Sequence, residues 1–144
     1  MRDFLLFLHI ASAILIIGGL AFMDMIVPGL VRGGSENLPV LRRLHQTARV
    51  FGPSSIIVFL LGIALAIRGD FEMGKPWLSI SMLLFIIAAV LGGAVGGKTL
   101  GQAITEIESG QSADALAGRL SMVGGIDILI LLTVVYLMVA KPGL

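Results

Sequence analysis

Two histidines, several methionines and a few charges stranded in apolar sequence are the residues through which this chain could do chemistry. His9 lies about two turns inside an apolar run that begins at Phe4. An ionisable group in such a run is expensive to keep and is a functional-site candidate by default. Counting about 1.5 Å of rise per residue places Met82, Tyr136 and Met138 in the same layer as His9. An imidazole with thioethers suits haem iron or Cu(I). His9, Met82 and Met138 are therefore the candidate cofactor-binding residues, with His9 as the metal ligand. The same residues admit a plainer reading: a neutral imidazole hydrogen-bonded to a neighbouring helix, and methionines that fill the core.

Three charges sit toward the other face. Asp24 comes near the end of the first apolar run, Asp127 about two turns inside the last, and Arg49 just ahead of the second. Charges in lipid pair with one another, so Asp24, Asp127 and Arg49 should form a buried cluster. Such a cluster would lock helices together or carry a proton or ion. His45 stands among Arg42, Arg43 and Arg49, where a solvated histidine is the ordinary expectation. His9 and Asp24 are fifteen residues apart, about 60° around a regular helix, and so should share one broad face.

Residues 92–99, GGAVGGKT, match a phosphate-loop pattern. That loop needs a preceding strand and a helix N-terminus facing the phosphate. Here the residues close an apolar run, so no nucleotide is expected. Gly92, Gly93, Gly96 and Gly97 read instead as small residues that let helices approach closely, within the chain or between copies in a homo-oligomer.

Four long apolar stretches must position these groups, at about 4–27, 51–67, 77–97 and 122–140. A hydrocarbon core of about 30 Å needs roughly 20 apolar residues in a helix, and none of the stretches alternates as a half-buried strand would. They account for a composition of 57% hydrophobic and 13% charged residues, against about 25% charged in soluble domains. The expected fold is an all-α, four-helix transmembrane bundle forming one domain over residues 1–144. Pro28-Gly29 should end the first helix and Gly69-Asp70 the second, and Lys75-Pro76-Trp77 should open the third. Ser112 with Asp114 suits the start of the fourth. Leu38, Leu41, Leu44 and Ala48 recur at helical spacing, so helices two to four should project beyond the bilayer on one side. Trp77 and Tyr136 should mark the opposite interface.

A net charge of +1 without a clustered basic face excludes a nucleic-acid partner. The absence of cysteine excludes disulfides and thiolate sites. No residue set suggests catalysis, so an enzyme is not expected. The lipid bilayer is the expected partner.

The stretches LHIASAILIIGG (8–19), RVFGPSSIIVFLLGIAL (49–65) and DILILLTVVYLMVAKPGL (127–144) resemble a bacterial family of predicted integral membrane proteins of unknown function, the domain of unknown function 2269 type. The histidine in the first span is also similar to that of copper-resistance D-type proteins and of four-helix, haem-binding protoporphyrinogen oxidases. That resemblance implies His9 as the ligand position, while a second intramembrane histidine is missing here. Two functions follow: a structural or transport-accessory membrane protein without cofactor, or a haem- or copper-binding protein using His9.

Of the basic residues, Arg32, Arg42, Arg43, Arg49, Lys98 and Arg119 fall on the side of the long connections, and Arg2, Arg68, Lys75 and Lys141 on the other. The positive-inside rule then places the long connections in the cytoplasm and both termini outside the cell's inner membrane. Reporters fused after Leu144 should register the outer face and those near Ser109 the cytoplasm; the reverse pattern would refute this orientation.

Overall fold

The computed structural model describes residues 2–68 and 75–142. It is built from four helices: α1 (Arg2–Arg32), α2 (Gly34–Arg68), α3 (Pro76–Glu108) and α4 (Asp114–Ala140). No strand occurs among the described residues. Each is long and apolar enough to cross a membrane, and helices suit lipid because all their backbone bonds are made internally. Each helix packs on its neighbour in sequence, and extensive contact between α1 and α4 closes the ring. Large side chains such as Leu15, Phe22, Leu60, Leu83, Leu129 and Leu132 point outward, where lipid covers them.

The ring is packed at both ends and loose between them. At one end Val27, Val31, Leu41, Leu100, Ala103, Ile104, Ile107, Ala117 and Leu120 form a closed core. Leu100, Ala103, Ile104 and Ile107 recur on one face of α3, the stripe expected of a helix that leaves lipid and meets water on its other side. The exposed ion pair of Arg42 with Glu108, at 2.6 Å, lies on that polar side. At the other end Ala66, Trp77 and Leu78 make a smaller core joined by Met82.

Several local expectations are met. Lys75 is extended ahead of Pro76, which occupies the first turn of α3. Ser112 Oγ donates to Asp114 Oδ2 at 2.8 Å and accepts from the Asp114 N–H at 3.3 Å where α4 begins. The Gly69-Asp70 stop, the tight turn after it and the chain end from Gly143 lie outside the described residues.

Others are corrected. Pro28 does not end the first helix, which runs on to Arg32 with Pro28 buried inside it. Proline removes one hydrogen bond, to the carbonyl four residues back, and packing of Val27 and Val31 against the end core holds the remaining turns. The actual stop is at Gly33 and Gly34, the latter at φ 66°, with Asn37 Nδ2 donating to the Leu30 carbonyl at 3.0 Å. The first helix therefore reaches the closed core along with the other three. Trp77 is only 5% exposed, whereas Tyr136 is 67% exposed. Trp77 belongs to the packed end of the bundle, and Tyr136 alone of the two faces outward.

Regular winding is interrupted twice, by π-helical turns at Ala13–Ile17 in α1 and Ala89–Gly96 in α3. The first lies between His9 and Asp24. On either side of it His9 meets α2 and Asp24 meets α4.

The glycine stripe of α3 needs the same correction. A side chain on Gly93 or Gly97 would meet nothing within 4 Å, and on Gly92 it would meet a side chain, not a helix backbone. The close helix approach is elsewhere, at Gly124 of α4, where an added Cβ would stand 2.9 Å from Asp24 Cβ and 3.1 Å from its carbonyl oxygen. Gly124→Ala should thus destabilise by about 1–3 kcal/mol through overpacking. Gly93→Ala should be neutral to slightly favourable, by up to about 1 kcal/mol from helix propensity. Unfolding in detergent reads both, and equal losses would refute the assignment.

Candidate functional site

Asp24 and Asp127 meet where α1 crosses α4. The crossing is close because Gly124, one turn before Asp127, presents bare backbone to Asp24. Pro28 adds to this, since its missing N–H leaves the Asp24 carbonyl without its helical donor. On the far side Asp127 Oδ2 fits over Gly92 of α3, 3.1 Å from where a Cβ would be. The two carboxyl groups lie close enough at this crossing to interact with each other. Two carboxyl groups can hydrogen-bond to each other only when one of them carries a proton, because an ionised carboxylate only accepts. Asp127 is 5% exposed, and its Oδ1 is buried with no hydrogen-bond partner among the described residues.

These acids border a cavity of about 470 Å³ at the centre of the ring. All four helices line it: Leu20 and Asp24 from α1, His45 and Arg49 from α2, Phe85 from α3 and Asp127 from α4. Gly92, Gly93, Gly96 and Gly97 form one wall, which explains why Gly93 and Gly97 admit no neighbouring backbone. Phe85 stacks on Phe59 at 5.7 Å between ring centroids and ties α3 to α2 beside the cavity. Both π-helical segments reach the lining, through Ile17 and through Ala89 with the glycines. Short π segments in α-helices occur often at functional sites.

Arg49 shares this lining, yet it makes no ion pair with either acid. The expected three-charge cluster is therefore a carboxyl pair with an arginine across open space. Arg49 is exposed, so its own charge is met by solvent and need not reach the acids.

His45 departs from expectation more sharply. It does not stand in water among arginines; its ring packs on Gly101, 3.4 Å from where a Cβ would be, and Nδ1 is buried without a partner. Of the arginines that suggested solvation, Arg42 turns away to Glu108, while Arg49 stays beside His45 in the cavity lining. A signal was present in the sequence: His45 follows Leu41 and Leu44 on the apolar face of its segment.

His9 sits elsewhere. Its ring rests on Gly62 of α2, 3.1 Å from the position of a Cβ, and Nδ1 donates to the Val58 carbonyl at 3.0 Å. Nε2 keeps its lone pair, as a ligand would. The rest of a ligand set does not assemble around it within the chain. Met82 packs with Ala66, Trp77 and Leu78, and neither His9, Met82 nor Met138 lines the central cavity. His45 belongs to that cavity instead. Among the described residues no three His, Cys, Asp or Glu side chains gather as a metal site. The residues present do not fit haem or copper within one chain, and His9 acts as a hydrogen-bonded wedge between α1 and α2.

A family model described as a predicted integral membrane protein (DUF2269) matches residues 3–142. No curated protein and no solved structure matches the chain.

His9→Ala should lower stability by only about 0.6 kcal/mol, the average for interhelical hydrogen bonds in a membrane bundle, as read by unfolding in detergent. Protein purified from cells supplied with haem and copper should be colourless and metal-free. A visible absorption band lost in His9→Ala would overturn the wedge assignment.

Proposed function

The chain belongs to the DUF2269 family of predicted integral membrane proteins, and we propose that it is a transport-accessory protein whose working part is the central cavity with its carboxyl pair. It sits in the plasma membrane with the closed end core in the cytoplasm and both termini outside. A purely structural cluster would draw its charges into mutual contact, because unpaired charge inside a membrane protein is costly. One observation favours a working site over a lock. Asp127 is nearly fully buried, keeps an oxygen without a donor and borders open volume that also holds an opposite charge.

The chemistry available there is reversible binding. The two carboxyl groups can share one proton and border room for water or solute. Apolar walls with a few convergent polar groups are the usual make-up of a small-molecule site.

Infrared difference spectroscopy tests the reading. The wild type should show the carbonyl stretch of a protonated carboxylic acid, shifting promptly in heavy water because the cavity admits solvent. Asp127→Asn should remove the band, since the amide donates to Asp24 without an added proton. A band that resists deuterium exchange until the protein unfolds would make the pair a sealed structural lock and sink the proposal.

A further inference from the structure

The lining carries two opposite charges that do not reach each other. On one side are Asp24 and Asp127, the latter with a buried oxygen that has no hydrogen-bond partner among the described residues. On the other is Arg49, which ion-pairs with neither acid. His45 lines the same space with a buried Nδ1 that is likewise unpartnered. We propose that the cavity takes a small zwitterion of amino-acid size, its ammonium group donating to the Asp24–Asp127 pair and its carboxylate accepting from Arg49. This rests on reading the cavity as a binding site and names the class of ligand.

Other ligand chemistries fit less of the lining. A simple cation would satisfy Asp127 but bring a like charge toward Arg49. A simple anion would satisfy Arg49 but meet the residual negative charge of the acid pair. A bare metal ion lacks a donor set, because no three His, Cys, Asp or Glu side chains converge among the described residues. A molecule with both charges and an apolar body answers each part of the wall. The ammonium supplies the missing donor, the carboxylate meets the guanidinium, and Leu20, Phe85 and Leu131 receive the side chain. A volume of about 470 Å³ falls within the range of about 300–1,000 Å³ usual for small-molecule sites. The glycine wall keeps the space open, since any side chain at Gly92 or Gly93 would project toward it.

The test is equilibrium binding to the full chain in detergent, with three matched probes: L-phenylalanine, phenethylamine and hydrocinnamate. They share an aromatic body and carry both charges, the cation alone or the anion alone. Phenylalanine should bind about tenfold or more tightly than either analogue, the difference expected from one charged hydrogen bond. Arg49→Gln should reduce phenylalanine to the affinity of phenethylamine and should not weaken phenethylamine. Asp127→Asn should reduce phenylalanine to the affinity of hydrocinnamate and should not weaken hydrocinnamate. Arg49 is exposed, so its variant keeps the test valid even if the Asp127 variant folds poorly. Phenethylamine binding as tightly as phenylalanine, or phenylalanine binding that ignores Arg49→Gln, would overturn the zwitterion. Failure of all three probes while the exchangeable carboxyl band persists would overturn the ligand class and spare the cavity. A band that resists exchange would remove the foundation of both.

Discussion

A carboxyl group carried into a hydrocarbon slab must find its partner inside the protein, and the crossing of α1 and α4 is organised by that demand. Asp24 and Asp127 meet each other because neither reaches a cation. Two acids can share a site only if a proton lies between them, so the contact that joins the helices is also chemically labile. Gly124 makes the contact possible by withdrawing a side chain where the backbone of Asp24 passes. Remove that glycine and the helices separate; remove the proton and two like charges face each other in a medium that screens poorly.

The rest of the bundle follows from keeping that contact open on one side. Closed cores at both ends supply the packing that the middle forgoes. Between them the glycine wall of α3 and the π-helical turns of α1 and α3 leave volume instead of filling it. A bundle selected only for rigidity would pack this level, since methyl-sized voids cost stability. The void stands where the charged lining is, which ties the loss of packing to the site.

The two histidines illustrate how context, not residue type, assigns a role. His9 is sequestered by one carbonyl and one glycine of α2 and behaves as a fastener. His45, expected in solvent, instead packs its ring on Gly101 beside the cavity, with Nδ1 buried and unpartnered. The difference arises from rotation about helix axes, which turns His9 toward Val58 of α2 and His45 toward Gly101 of α3.

Composition and run length determined by themselves that this chain is a four-helix membrane bundle. Lipid exposure is a sum over some twenty residues per span, and no single contact is needed to read it. The start of α3 at Pro76 and of α4 at Asp114 was legible for a similar reason, since caps are local. The carboxyl residues could be named, because charge in an apolar run stands out. Their partner could not: that Asp127 meets Asp24 while Arg49 stays apart depends on how far each helix is turned. Two π-helical segments alter that turn without any signature in the spacing of apolar residues. The role of Gly124 was hidden for the same reason, because a glycine marks a close approach only when a second backbone lies opposite. Only the tertiary structure decided which polar groups face each other across the centre. That choice rests on the relative rotation of four helices whose outer faces lipid solvates almost equally well at many angles.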